Sequence, residues 1–197
     1  MPSINDYYEQ ILQNARRKIL SKGDQYILQV ELTKLIDYYY DKYSLPLIEK
    51  DNTREIDYEQ QSYIRRTPSG IPIGRSLRLT IRYPIIPHDR MIEVLRRKSS
   101  TFFLNRYSLQ YDNGYIISKI DVRIAGGGQE KRFEAEIKTI EQIIEQKNNN
   151  VRSRNQSYKR ELKQFVEQHQ NRVEKDTELV ESVIKKIIAT PVFYSLF

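Results

Sequence analysis

RSLRLTIRYP, residues 75–84, puts Leu77, Leu79, Ile81 and Tyr83 on one side of an extended chain, with Arg75, Arg78 and Arg82 in or beside the other. Alternation with period 2 is the signature of a strand with one face buried. This stretch therefore predicts a sheet, and it raises the question of what the arginines face. Immediately before it, TPSGIPIG reads as a loop by its proline and glycine content. Upstream of the loop, Ile56, Tyr58 and Ile64 alternate with charged or amide residues from about Arg54 to Arg65, a second half-exposed strand. Downstream, Pro84 closes this strand and residues 88–98 hold one or two helical turns. YSLQYDNGYIISKIDVRI then supplies two strands around Asn113-Gly114, a pair suited to the positive dihedrals of a tight hairpin turn. The expectation is a small, mostly antiparallel sheet of four strands.

Helices flank this sheet on both sides in sequence. Tyr8, Ile11, Leu12, Ala15 and Ile19 recur at helical spacing, with Asn5 or Asp6 as cap and Gly23 as the stop. Leu32, Leu35, Ile36, Tyr39 and Tyr43 give a second stripe over about Glu31 to Tyr43, closed by Pro46. From Gln129 to Thr190 there is neither glycine nor proline. Phe133, Ile137, Ile140, Ile144, Val151, Tyr158, Leu162 and Phe165 form an apolar stripe there, continued by Val173, Val180 and Ile187 after one slip in register. Such a run makes a single helix of roughly 90 Å at 1.5 Å per residue, or a hairpin folded back at NNNVRSRNQS, residues 148–157. A narrow apolar stripe on a long helix needs a partner helix, from within the chain or from another copy. The fold class is α+β: an α+β domain over 1–125, a coiled-coil-like helical segment over 129–190, and an apolar tail over 191–197. Val192, Phe193, Tyr194, Leu196 and Phe197 of that tail are expected to dock on this chain or on a partner.

Charge is unevenly distributed. The chain carries +7 overall, but residues 65–106 hold ten Lys/Arg against two Asp/Glu, whereas residues 1–64 are net −3. The basic set is Arg65, Arg66, Arg75, Arg78, Arg82, Arg90, Arg96, Arg97, Lys98 and Arg106. If it gathers in space it is a footprint for phosphates or for an acidic partner. Three readings stand: protein–protein electrostatics, including pairing with the acidic N-terminal part; sequence-independent nucleic-acid binding; and an ordinary solvated face.

Several chemistries lack their residues. Without cysteine there are no disulfides, thiol nucleophiles or thiolate metal sites, which fits the cytoplasm. No apolar run reaches the length of a membrane span, so no membrane partner is expected. The two histidines, His88 and His169, have no partner at metal-ligand spacing, and His169 falls near the helical stripe. AGGG at 125–128 precedes Gln-Glu-Lys rather than Gly-Lys-Ser/Thr, so a hinge explains it better than a phosphate cradle. Glu134, Glu136 and Lys138 have the Glu-x-Lys spacing of a metal-dependent nuclease. On a helix, however, their side chains diverge. The tyrosine cluster DYYYDKY, residues 37–43, is accompanied by Asp37 and Asp41, which favours packing over base stacking. No catalytic, cofactor or metal residues are assigned, and the expectation is a non-enzyme.

INDYYEQILQNARRKILSKGDQYILQV, followed by KYSLPLIEKD and REIDYE, resembles the N-terminal region of an uncharacterised bacterial family associated with phage-defence or restriction-type loci. Ser-Thr-Phe at 100–102, the hairpin and the NNNV…N helix look like that family's later part, so the resemblance spans residues 3–188. It implies a non-catalytic assembly or sensor module beside a separate effector such as a nuclease, TIR domain or ATPase. It supplies no site residues, and the apolar tail departs from the more polar ending of that pattern. Self-association, a partner effector and nucleic acid are the partners to look for.

Overall fold

The computed structural model describes residues 4–96, 109–123 and 129–189. Arg97, Lys98, Arg106, the glycine cluster at 125–128, Ser-Thr-Phe at 100–102 and the tail residues 192–197 lie outside the described residues. So does the side chain of Arg96. In chain order the elements are α1 (Ile4–Leu20), α2 (Asp24–Gln29), α3 (Leu32–Tyr43), β1 (Asp57–Arg66), β2 (Pro72–Pro84), α4 (Asp89–Arg96), β3 (Gln110–Asp112), β4 (Tyr115–Arg123) and α5 (Gln129–Ala189). The fold is α+β, with N-terminal helices, an antiparallel sheet and a long C-terminal helix. The region 129–189 is one helix of 61 residues, with no fold-back at the asparagines.

The chain forms two compact units, residues 1–7 with 45–154 and residues 8–44 with 155–197. α5 therefore contributes its first part to one unit and its second part to the other.

In the first unit the strand order is β1-β2-β4-β3, every pair antiparallel. β2 is central, and its alternation is expressed as expected: Leu79, Ile81 and Tyr83 are buried while Arg78 is exposed. β2 also begins earlier than its sequence suggests. Pro72 and Ile73 belong to the strand because β1 continues to pair through Arg66. A proline can open a strand, where no ladder donor is demanded of it. The β3–β4 turn has Asn113 at φ 46 and Gly114 at φ 83, the two positive dihedrals that an Asn-Gly hairpin turn needs. Arg54 fastens that turn. Its Nη2 donates to the carbonyls of Ile85 and Gly114, and its Nε pairs with Asp51 at 2.6 Å.

The first part of α5 covers the inner face of the sheet. Ser118 Oγ donates to the buried Glu136 at 2.6 Å, Tyr83 OH donates to Glu141 at 3.3 Å, and the Tyr58 and Phe133 rings lie 4.9 Å apart. Ile140, Ile144 and Val151 are buried. Asn148 serves as a clamp: its Oδ1 accepts from Ile48 N at 2.8 Å and its Nδ2 donates to Ile48 O at 2.9 Å. One amide thus satisfies both backbone groups of a buried residue, which would otherwise carry a desolvation cost.

In the second unit α1, α3 and the later part of α5 bury Ile11, Leu12, Ala15, Ile19, Leu35, Ile36, Tyr39, Leu162 and Val166. Tyr8 OH donates to Asn155 at 2.6 Å, and Tyr158 OH donates to the Tyr39 carbonyl at 3.2 Å. Lys159 pairs with Asp37 at 2.8 Å. α2 has no counterpart in the sequence reading. It is a six-residue helix after Gly23 (φ 83), and it buries Ile27 alone.

Candidate contact surfaces

The basic residues divide by what surrounds them. Arg78 and Arg82 lie on the outer face of the sheet, and carboxylates on the neighbouring strands meet them. Arg78 Nε is 3.0 Å from Asp121, its register partner on β4. Arg82 reaches Asp57 at 3.0 Å and Glu59 at 2.7 Å, both on β1. The hydrogen bond from Arg78 holds the Asp121 carboxyl below the usual carboxylate range. Across the strands, cation and anion alternate, which is how opposite charges stabilise a solvated sheet face.

Arg65, Arg66 and Arg75 sit at the far end of the β1–β2 hairpin. Ile64 faces Arg75 across the ladder and Arg65 faces Gly74, with a register shift between Arg65 and Arg66. Ile64, Ile71 and Ile73 are each more than half exposed there. Arg90 is exposed in the first turn of α4.

The helical stripe proposed from sequence is occupied by the chain itself. Ile140, Ile144, Val151, Tyr158 and Leu162 are buried, and Phe133, Ile137 and Phe165 are half-buried at its edge. Its spacing explains the apparent slip in register. Ile140, Val151, Leu162 and Val173 recur every eleven residues, and all four are buried. Eleven residues in three turns is about 3.67 per turn, close to an undistorted helix and unlike the 3.5 of a left-handed coiled coil. Asn148 and Asn155 fall within this stripe and are buried as hydrogen-bonding members of it.

Beyond Val173 the stripe continues as exposed side chains. Leu179, Val180, Val183, Ile184, Ile187 and Ile188 are 46–78% exposed. At 100° per residue they fill one half of the helix surface, centred on the side that carries Leu162 and Val173. Val173, Thr177, Val180, Ile184 and Ile187 step by 4, 3, 4 and 3. The sequence reading found Val180 and Ile187 but missed the breadth of this face. The signal was the repeated apolar pair LV, VI, II at intervals of four.

The residues weighed for chemistry are separated. Glu136 is buried on Ser118, while Glu134 and Lys138 are exposed on other sides of α5. His169 is buried, its ring 6.2 Å from that of Phe165 and its Nδ1 3.1 Å from Arg172. Among the described residues no group of three or more His, Cys, Asp or Glu is placed to hold a metal ion. None of the described helices is long and apolar enough to cross a membrane. Tyr39 of the tyrosine cluster is buried and stacked on Tyr43 at 6.1 Å, and Tyr38 is exposed with Lys42 at its hydroxyl.

No family model matches the chain, and no curated protein or solved structure matches it either.

Proposed function

We propose that this chain is a non-catalytic assembly subunit, and that the bare apolar side of α5 from Leu179 to Ile188 is where a second copy packs. The observation that carries this reading is continuity. Val173 is buried, and beyond it the apolar side chains on the same side of α5 are exposed among the described residues. Six large aliphatic side chains per copy make twelve in a pair. Their burial is worth on the order of 15 kcal/mol gross, against which association costs roughly 4–15 kcal/mol. A cost in the lower half of that range leaves about 8 kcal/mol, which is micromolar pairing.

Charge selects an antiparallel pair. Glu174, Asp176, Glu178 and Glu181 precede Lys185 and Lys186 along the helix. Parallel copies would set acid against acid. Antiparallel copies bring the lysines of one against the acids of the other, which fixes orientation. The N-terminal resemblance supports a setting beside a separate effector in a bacterial antiphage defence complex, with this subunit as the scaffold or sensor.

Sedimentation equilibrium at micromolar concentration tests the assignment. The wild-type chain is expected to dimerise, and Val180→Asp with Ile184→Asp to be monomeric with unchanged helicity. Because the chain has no cysteine, Glu174→Cys mixed with Lys186→Cys reports the orientation by disulfide capture. A wild-type monomer, or a dimer that both aspartates leave intact, overturns the reading.

A further inference from the structure

The β1–β2 hairpin extends past the register in which β4 takes part. β4 pairs with β2 from Pro84 to Ser76; beyond Ser76, among the described residues, only β1 and β2 face each other, Ile64 with Arg75 and Arg66 with Pro72. The reversal is tightly built. Gly70 N donates to Thr67 O at 2.9 Å, Thr67 N to Ile71 O at 2.8 Å, Ile71 N to Thr67 Oγ1 at 3.1 Å, and Arg66 Nη1 to Gly70 O at 2.9 Å. This end is a two-stranded ribbon with a defined tip.

Its charge has one sign. Between Glu59 and Asp89 the chain has five arginines, no lysine and no carboxylate. Arg78 and Arg82 take up Asp121, Asp57 and Glu59, and Arg65 shares the field of Asp121 with Arg78, so the excess falls on Arg66, Arg75 and in part Arg65. Among these cations stand Ile71 and Ile73, more than half exposed. Lone exposed aliphatics are ordinary, but several gathered on a cationic ribbon mark a contact.

A polyanion that accepts guanidinium forks and offers a groove fits this end. Arginine engages phosphate through paired N–H donors, where lysine acts as a point charge. A two-stranded ribbon fits the roughly 12 Å major groove of B-form DNA, and the corresponding groove of A-form RNA is too narrow. We infer that the end of the β1–β2 hairpin is a groove-binding arm for duplex DNA, with Arg65, Arg66 and Arg75 on phosphates and Ile71 and Ile73 against the groove. Contacts to phosphate carry no base identity, so binding is independent of sequence. The arm uses elements other than the α5 face and stands or falls separately from the assembly reading.

The test is fluorescence anisotropy of the full chain with a short labelled DNA duplex, its RNA counterpart, and phosphatidylserine-containing vesicles, at low and physiological salt. Three phosphate contacts predict a log–log salt slope of roughly −2.7 on DNA. Arg65→Ala with Arg66→Ala and Arg75→Ala should weaken binding by about tenfold or more at low salt and remove most of that slope. Arg75→Ala alone should reduce the slope by about 0.9. Ile73→Ser should weaken binding with the slope unchanged. Removing three exposed cations elsewhere, Lys22, Lys163 and Lys175, should alter affinity by less than about twofold, because none of them belongs to the hairpin. No binding at low salt, equal loss in the lysine control, equal affinity for the RNA duplex, or tighter binding to vesicles than to DNA each overturns the assignment.

Discussion

From Ile140 to Val173 the apolar stripe of α5 is covered by other parts of the same chain, whereas from Leu179 to Ile188 it is bare. The two stretches lie on one uninterrupted helix and present the same side. Their sequences differ chiefly in breadth. The covered part is a narrow stripe broken by Asn148, Asn155 and His169; the bare part is half a cylinder of aliphatic side chains without a polar member. Periodicity tells that a face requires a partner. It says nothing about whether the partner lies in the same chain.

The largest expected effect separates these stretches directly. Leu162→Ala removes a fully buried side chain and should lower the unfolding free energy by about 3 kcal/mol in urea titration. Ile184→Ala, at an exposed position, should change it by no more than about 0.5 kcal/mol at concentrations below the proposed pairing. Equal losses at both positions would erase the distinction between covered and bare.

A somewhat smaller effect is expected where the covered stripe is polar. Asn148→Ala strands the N–H and C=O of Ile48 and should cost about 2 kcal/mol. Asn149→Ala, one residue along and exposed, loses only its acceptor for Arg152 and should cost less than about 0.5 kcal/mol. If the two asparagines behave alike, the clamp is not holding residues 45–50.

How much of this was legible depends on the range of the interaction that decides it. Strand alternation in 75–84, the Asn113-Gly114 turn and the helical stripes of α1 and α3 are local patterns, and each appears where the sequence puts it. Asn148 and Asn155 could not be read in the same way. Helix propensity marks them as weak points, and only the positions of Ile48 and Tyr8 in space turn them into anchors. Arg78 has the same difficulty, since its partner Asp121 is 43 residues away and is brought opposite by strand register. The exposed isoleucines of the hairpin were invisible for a further reason. TPSGIPIG has loop composition, and its pairing follows from β1 rather than from its own residues.

The alkaline limb of stability gives a more modest comparison of covered and bare, using two tyrosines. Burial, with the Glu141 carboxylate beside it, pushes the Tyr83 hydroxyl up to about 12. Because the fold favours its protonated form, this contribution is fully present below pH 10 and is lost as pH rises through about 12. Tyr83→Phe should therefore lose less stability than wild type across that interval. Tyr38 is exposed, and its bond with Lys42 lowers its hydroxyl instead, so Tyr38→Phe should leave the Tyr83-dependent loss in place. Identical alkaline profiles for Tyr83→Phe and wild type would remove α5 from over the inner sheet face at that point.

The smallest effect belongs to a surface that is bare yet satisfied. The outer sheet face is open to solvent like the end of α5, but its arginines are matched by carboxylates one strand away. Both partners of the Arg78–Asp121 pair are about half exposed, so a double-mutant cycle with Arg78→Ala and Asp121→Ala should give a coupling of only about 0.5 kcal/mol, weaker in high salt. Since the pair holds the Asp121 carboxyl below its unfolded value, the coupling is present above that value and disappears as pH falls through the folded one. A coupling near zero would release Arg78 for an outside anion and move the cationic excess from the hairpin end onto the sheet. A small positive coupling leaves it where Arg65, Arg66 and Arg75 are, because a charge already neutralised within the sheet has little left to offer a phosphate.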